Sequence, residues 1–389
     1  MSPIITGLHA ATAELDPPLA ALDLSALRAN AADLARRARG VPIRVASKSV
    51  RCRAVLEEVL GSDLTAAGGF AGIMSYSLPE AIWLARQGAR DILLGYPSVH
   101  RAALAELGGD ETLREAITLM VDDPAQLDLI KTAVGEKVRP RICLDVDASL
   151  RIGPLHLGVR RSPIHTPDQA AELARTALHR GFRVVGVMTY EAQIAGMPDT
   201  NPAVRLMKWA SAGEIGKRRR QVLEAVRSVA GELEIVNSGG SGSIEVSISD
   251  PNVTEVTAGS GLYVPTLFDG YRAFTPRPAL FFALPVLRRP ARGIATVFAG
   301  GYIASGPAGP TRVPKPVWPS GLRLIGTEGA GEVQTPLTGA GELTIGDRVW
   351  FRHAKAGELL ERFDQVQLVD ADGTRTTVPS YRGEGHNFG

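Results

Sequence analysis

Lys48 ends a short aliphatic run in Arg44-Val-Ala-Ser-Lys-Ser-Val. Among apolar walls an ammonium is disfavoured, and the freed amine adds to an aldehyde to give a Schiff base. Two runs, Asn237-Ser-Gly-Gly-Ser-Gly-Ser and Ala258-Gly-Ser-Gly-Leu-Tyr, are rich in glycine and serine. They offer backbone N–H and hydroxyl donors that can approach a phosphate closely. In Asp145-Val-Asp-Ala-Ser-Leu-Arg-Ile-Gly, Arg151 is placed to hold a phenolate or carboxylate, or else to pair with Asp145 or Asp147. Tyr190, Glu191 and Gln193 follow another aliphatic run, and spacing alone gives them no role. Near the C-terminus, His353 in Phe351-Arg-His-Ala-Lys reads as a general base, a metal ligand or a structural histidine. Tyr302 in Gly300-Gly-Tyr reads as a proton donor or as packing.

These residues need a scaffold that brings strand ends together. Strand-like runs at 43–47, 63–66, 91–94, 117–121, 141–146, 183–189, 233–237 and 252–257 are separated mostly by amphipathic helical patterns. One of these helices opens with Ser77 as N-cap, Pro79 in the first turn and Glu80 at the third position. Strands alternating with helices predict a parallel sheet. The eight runs cover about 215 residues, close to the roughly 250 of a closed β/α barrel. An open, doubly wound sheet is the alternative. In a barrel, Lys48, Arg151, Tyr190, Gln193 and both glycine loops fall at the C-terminal mouth, where the last two loops form a phosphate cradle.

After residue 265 prolines crowd the chain and forbid long helices. The stretches 342–351 and 365–369 read as strands, and 371–374 as a hairpin turn. The expected organisation is an N-terminal segment, 1–40, partly packed with the β domain; a barrel, 41–265; and a mostly-β domain, 266–389.

With 389 residues, 44% hydrophobic, the chain can bury a full core. Its 43 basic and 41 acidic residues are spread along it, with no polybasic arm for nucleic acid or membrane. Aromatics at 5% argue against a base-stacking surface. Cys52 and Cys143 stand in no metal or redox spacing, and no signal core or membrane span is visible, so a cytoplasmic location is expected. A metal-dependent barrel hydrolase would need a His-x-His or clustered carboxylate set, which is missing.

Taken together, the segment Ala21-Leu-Asp-Leu-Ser-Ala-Leu-Arg-Ala-Asn, the lysine on the first barrel strand, the Asp147 to Gly153 pattern and the glycine loops resemble the fold-type III pyridoxal-phosphate enzymes, the alanine racemase-like superfamily. The resemblance covers nearly the whole chain and is strongest to the D-threonine aldolase branch. It implies a TIM-type barrel with a C-terminal β domain, and Lys48 as the Schiff-base lysine for pyridoxal 5′-phosphate. It further implies cofactor binding by Arg151, Tyr190, Gln193, Ser238, Gly239, Gly240, Ser241, Gly259, Ser260, Gly261 and Tyr263. A homodimer with shared active sites and a small amino acid substrate complete the expectation. The implied reaction is cleavage or formation of the Cα–Cβ bond of a β-hydroxy D-amino acid such as D-threonine, giving glycine and an aldehyde. Deamination, racemisation with Tyr302 as proton donor, and a non-catalytic cofactor carrier are the alternatives. In the aldolase branch a histidine and a second ligand two residues on bind a divalent metal. Here His353 is followed by Lys355, whose ammonium has three donors and no lone pair. The metal is therefore in question, and one expectation is that Lys355 replaces it electrostatically while His353 serves as base.

Overall fold

The computed structural model describes residues 3–272, 275, 277–307 and 309–389, so Pro276, one of the crowding prolines, lies outside the described residues. An N-terminal strand, β1 (Leu19–Asp23), precedes eight parallel strands: β2 (Ile43–Ala46), β3 (Phe70–Ser75), β4 (Ile92–Leu94), β5 (Ile117–Val121), β6 (Arg141–Val146), β7 (Arg183–Thr189), β8 (Ile235–Ser238) and β9 (Glu255–Ala258). Each of the eight pairs with the next, β9 pairs with β2, and the ring is closed. The open-sheet alternative is thereby excluded.

Alternation along the strands sorts the side chains. Leu93, Met120, Cys143, Val185, Met188 and Ile235 form the small cluster inside the ring, while Ile142, Leu144 and Val236 join the large core under the helices. The inward phase also carries Arg44 of β2, whose buried guanidinium is paired with Glu255 at 2.6 Å and with Asp91 at 2.9 Å. Asn237 donates to the same Glu255 at 2.7 Å. A buried charge of this kind persists only when fully paired, as it is here.

Two strand expectations are corrected. The second barrel strand is Phe70–Ser75, not 63–66. Asp63 Oδ1 accepts from Thr65 N at 3.2 Å and Leu64 has φ +56, so the expected segment is a turn. Gly72 gives β3 its irregularity: its φ is +71, and a Cβ there would lie 2.5 Å from Arg44 Nη1. The helix Leu78–Arg86 begins as expected, with Ser77 accepting from Glu80 N.

The second sheet is built around β10 (Leu280–Ala291), with β11 (Ile294–Phe298), β12 (Gln334–Thr338), β13 (Arg348–Arg352), β14 (Gln365–Val369) and β15 (Arg375–Pro379). β1 lies inside this sheet, antiparallel to β10 and parallel to β14. Of the expected strand 342–351, only the end is a strand. Thr344 N donates to Asp347 Oδ2 at 2.6 Å and Asp347 N to Thr344 O at 3.2 Å, closing a turn with Gly346 at φ +94. No helix among the described residues is long and apolar enough to cross a membrane.

Candidate active site

A cavity of about 420 Å³ opens at the C-terminal end of the barrel and is roofed by the second domain. Lys48 lines it from the short 3-10 turn Ser47–Ser49 directly after β2. Its Nζ donates to Tyr96 Oη, and the ammonium lies 5.1 Å from the centre of that ring. Burial alone would raise the Tyr96 phenol, but Lys48 and then Arg161 outweigh it and hold the phenol below its ordinary value. Arg161 sits over two rings, 5.7 Å from the centre of Tyr96 and 5.6 Å from that of Tyr190. Both aromatic faces attract the guanidinium electrostatically.

The far end of the cavity is made by Gly239, Gly240, Ser241, Gly259 and Ser260. Ser241 Oγ accepts from Gly259 N at 3.3 Å and from Gly261 N at 3.0 Å, tying the two loops into one cradle. Ser49 and Ser260 hydroxyls are 3.1 Å apart. Behind the cradle, Arg37 donates to Ser241 O at 2.9 Å and pairs with Glu245 at 2.6 Å. A Cβ at Gly259 would lie 2.6 Å from Ala46 O, and one at Gly240 would lie 3.0 Å from Ala195 Cβ. At both positions neighbouring protein atoms leave little room for a side chain.

Four of the expected residues lie behind the wall. Ser238 is buried, donating to Glu191 and accepting from Arg219 at 2.7 Å. Tyr263 is fully buried with its hydroxyl on Val50 O at 2.9 Å. Gly261 takes its place in the cradle through Ser241. Gln193 donates to Ala148 O at 2.7 Å, and its Oε1 is buried without a partner.

Arg151 is not brought to the cavity. It projects from the hairpin Leu150–Ile152 and Leu155–Leu157, where Asp147, four residues back, captures it at 2.5 Å. Asp147 also accepts from Ser149 N and Oγ, which fixes it as the anchor of this loop. The guanidiniums that line the cavity are those of Arg51, Arg161 and Arg312. Nearby Asp145 is buried at the end of β6, and that burial raises its carboxyl to about 7.

The second domain contributes Ser305, Arg312, Lys355 and Glu358 to the cavity wall. Lys355 Nζ donates to Ser305 O at 3.2 Å and Oγ at 3.1 Å, and Glu358 accepts from Ser305 N at 2.9 Å. His353, two residues before Lys355, faces elsewhere. It is 2% exposed, both ring nitrogens lack partners, and burial with Arg352 nearby lowers it to about 3. With Tyr302 it lines a smaller adjoining cavity. Tyr302 packs on Phe282 and Phe363, with ring centres 5.2 and 5.6 Å away.

Sequence reasoning missed Tyr96, Arg161 and Arg312. Tyr96 could have been found, because Gly95-Tyr96 directly follows a barrel strand, the position that supplies mouth residues. Nothing in the spacing marks Arg161, which follows an excursion from the barrel, or Arg312.

The residues present fit pyridoxal phosphate: an amine, two glycine loops lining the same cavity, of which Gly239 N donates to Glu191 Oε2 at 3.1 Å, and the Arg161 guanidinium. Among the described residues no three His, Cys, Asp or Glu side chains gather as a possible ligand set.

The sequence model of the family described as "Alanine racemase, N-terminal domain" matches residues 22–266. Among solved structures, D-threonine aldolase from Filomicrobium marinum superposes with a TM-score of 0.77 at 20% identity, covering 95% of this chain and 96% of that one. D-threo-3-hydroxyaspartate dehydratase from Delftia sp. HT23 gives 0.74 at 23% identity, covering 94% and 98%. Alanine racemase from Corynebacterium glutamicum gives 0.59 at 17%, covering 86% and 90%. At these identities the likeness is one of fold. Comparison with curated protein sequences finds no match.

Proposed function

The chain belongs to the alanine racemase N-terminal-domain family, within a pyridoxal-phosphate-dependent superfamily, and from that premise we propose that it cleaves or forms the Cα–Cβ bond of a small β-hydroxy amino acid. The observation that carries this reading is the placement of Lys48. Its amine stands in a cavity whose other end is a glycine cradle, and it is held there by the Tyr96 hydroxyl.

In this reading the loops Gly239–Ser241 and Gly259–Ser260 would hold the phosphate of the cofactor, and Lys48 Nζ would hold its aldehyde carbon. Bound pyridoxal phosphate supplies an electron sink for bonds at the substrate's Cα. Tyr96 Oη, lowered by Lys48 and Arg161 against the effect of burial, keeps a proton shared with Lys48 Nζ and so fixes where the amine points. Lys48 is then placed to return a proton at Cα. Arg161 pairs an anionic oxygen on the barrel side. Lys355 and Ser305 offer donors to substrate oxygens on the opposite wall. The two walls together fix which bond at Cα stands in line with the sink, and that orientation selects the reaction. The roof formed by the second domain excludes water. His353, neutral and buried, supports the segment that carries Lys355.

The test is spectroscopic and then chemical. Protein purified with added cofactor should show a visible absorption band that borohydride reduction abolishes and that Lys48→Ala never shows. A colourless wild type would overturn the reading. Incubation with D-threonine and with D-serine, following glycine, aldehyde and 2-oxo acid separately, assigns the reaction. Glycine with aldehyde is expected; 2-oxo acid alone would make the enzyme a dehydratase.

A further inference from the structure

The cavity carries more positive charge than the cofactor needs. Arg51, Arg161, Arg312 and Lys355 line it together with Lys48, against one lining carboxylate, Glu358, and of these Arg51 is paired with Glu361. Among the described residues, which form 23 ion pairs, none of Arg161, Arg312 or Lys355 has a carboxylate within 4.0 Å. Their polar partners are neutral. Lys355 has only Ser305, Arg312 Nη1 has only Thr311, and Arg312 Nε is buried without any partner. Glu358 is already engaged by the backbone N–H of Ser305. Burial lowers the Lys355 ammonium, Glu358 works against that, and Arg312, Lys48 and Arg161 add to the lowering, so the cations also act on one another. Like charges brought together in a partly desolvated space repel, so the free cavity is poised for anions.

The positions divide these cations into two sets. Arg161 stands on the barrel wall beside Lys48, near Tyr96 and Tyr190, where a substrate's α-carboxylate or the ring oxygen of the cofactor would fall. Arg312 and Lys355 stand on the wall of the second domain. A neutral side chain such as that of threonine would leave this second pair without a counter-ion.

We propose that the substrate's side chain ends in a second carboxylate, held between Lys355 and Arg312. The proposal rests on the reading of the cavity as a pyridoxal-phosphate amino acid site, and names the class of amino acid that site takes. A guanidinium and an ammonium serve this purpose differently: Arg312 presents a planar fork, and Lys355 a compact charge anchored by Ser305.

The experiment compares racemic aspartate with racemic asparagine, nearly identical in shape and different in charge, by calorimetric titration of the cofactor-loaded protein. Aspartate is expected to bind roughly 10- to 100-fold more tightly, the range of a charge-assisted pair. Lys355→Met and Arg312→Gln should each collapse that ratio toward one while circular dichroism shows the fold retained. Equal affinities in the wild type, no aspartate binding, or a ratio unchanged in both variants would overturn the proposal. Cofactor content, measured by absorption on the same samples, separates the two failures. A protein without cofactor sinks the reading of the site, whereas a loaded protein with no preference for aspartate sinks only the substrate class.

Discussion

At the scale of single residues, the structure spends its buried polar groups unevenly. Arg44, Glu255 and Asn237 are mutually satisfied, whereas Glu80 is not. It is fully buried, Oε2 accepts from Tyr76 N at 2.8 Å, and Oε1 has no partner. Burial raises this carboxyl to about 7. An acid whose folded pKa is raised keeps its proton on folding while the unfolded chain loses it. The stability it contributes is therefore full below about 4.5 and declines as pH rises toward 7. Glu80→Gln keeps an acceptor for Tyr76 and removes the titration. At pH 8 the variant should be the more stable by up to about 3 kcal/mol, and at pH 5 nearly equal to wild type. Denaturant unfolding of both proteins at the two pH values checks this, and parallel stability profiles would refute it. The residue scale also shows why the sequence left two readings of Arg151 open, of which the structure shows the pair with Asp147. Spacing shows that Asp147 lies four residues before it, but not that the loop folds so that Ser149 and Arg151 both turn onto that carboxylate.

At the scale of elements, legibility followed the density of aliphatic residues. The runs 117–121, 141–146 and 183–189 are strands over those same residues, because short segments dense in aliphatic and β-branched side chains suit strands buried on both faces. Phe70–Ser75 escaped because Gly72 breaks the run, and its reason for being glycine lies in Arg44, 28 positions earlier. The glycine loops were legible as loops, and their linkage through Ser241 was not. That linkage yields a prediction. A Cβ at residue 259 would meet the carbonyl of Ala46 at 2.6 Å, and a backbone atom of a barrel strand cannot swing aside like a side chain. Gly259→Ala should therefore push the second loop off the first. The expected result is a loss of about 1–3 kcal/mol in stability and a weaker grip on the cofactor. A lowered thermal midpoint and a rightward-shifted cofactor titration would show it; an unchanged titration would mean that the cradle is not where the phosphate binds.

At the scale of the whole molecule, the two sheets are joined beside Lys48. Strand β1 belongs to the second sheet, and the chain then forms the barrel and returns, so the second sheet is discontinuous in sequence while the barrel strands follow one another. Contacts between them gather around the cavity: Thr266 N donates to His353 O at 3.0 Å, Tyr381 N donates to Arg51 O at 3.0 Å, Arg352 pairs with Asp269 at 2.8 Å, and Arg51 pairs with Glu361. Gly357 is the tightest of these joints. It has φ +92, and a Cβ there would overlap the carbonyl oxygen of Lys48 itself. The loop carrying Lys355 thus rests directly on the backbone of Lys48, and the roof and the floor of the cavity are set by one contact. Gly357→Ala combines a left-handed backbone that resists a side chain, costing about 1–3 kcal/mol, with an overlap relieved only by moving the roof or the lysine. Either movement separates Lys48 from Tyr96 or Lys355 from Arg161. The variant should consequently lose both stability and the visible cofactor band, whereas Gly341→Ala, at an exposed turn with nothing within 4 Å of its Cβ, should lose neither. If Gly357→Ala were destabilised yet kept the full band, the domains would be joined for stability alone, and the roof would not position the lysine.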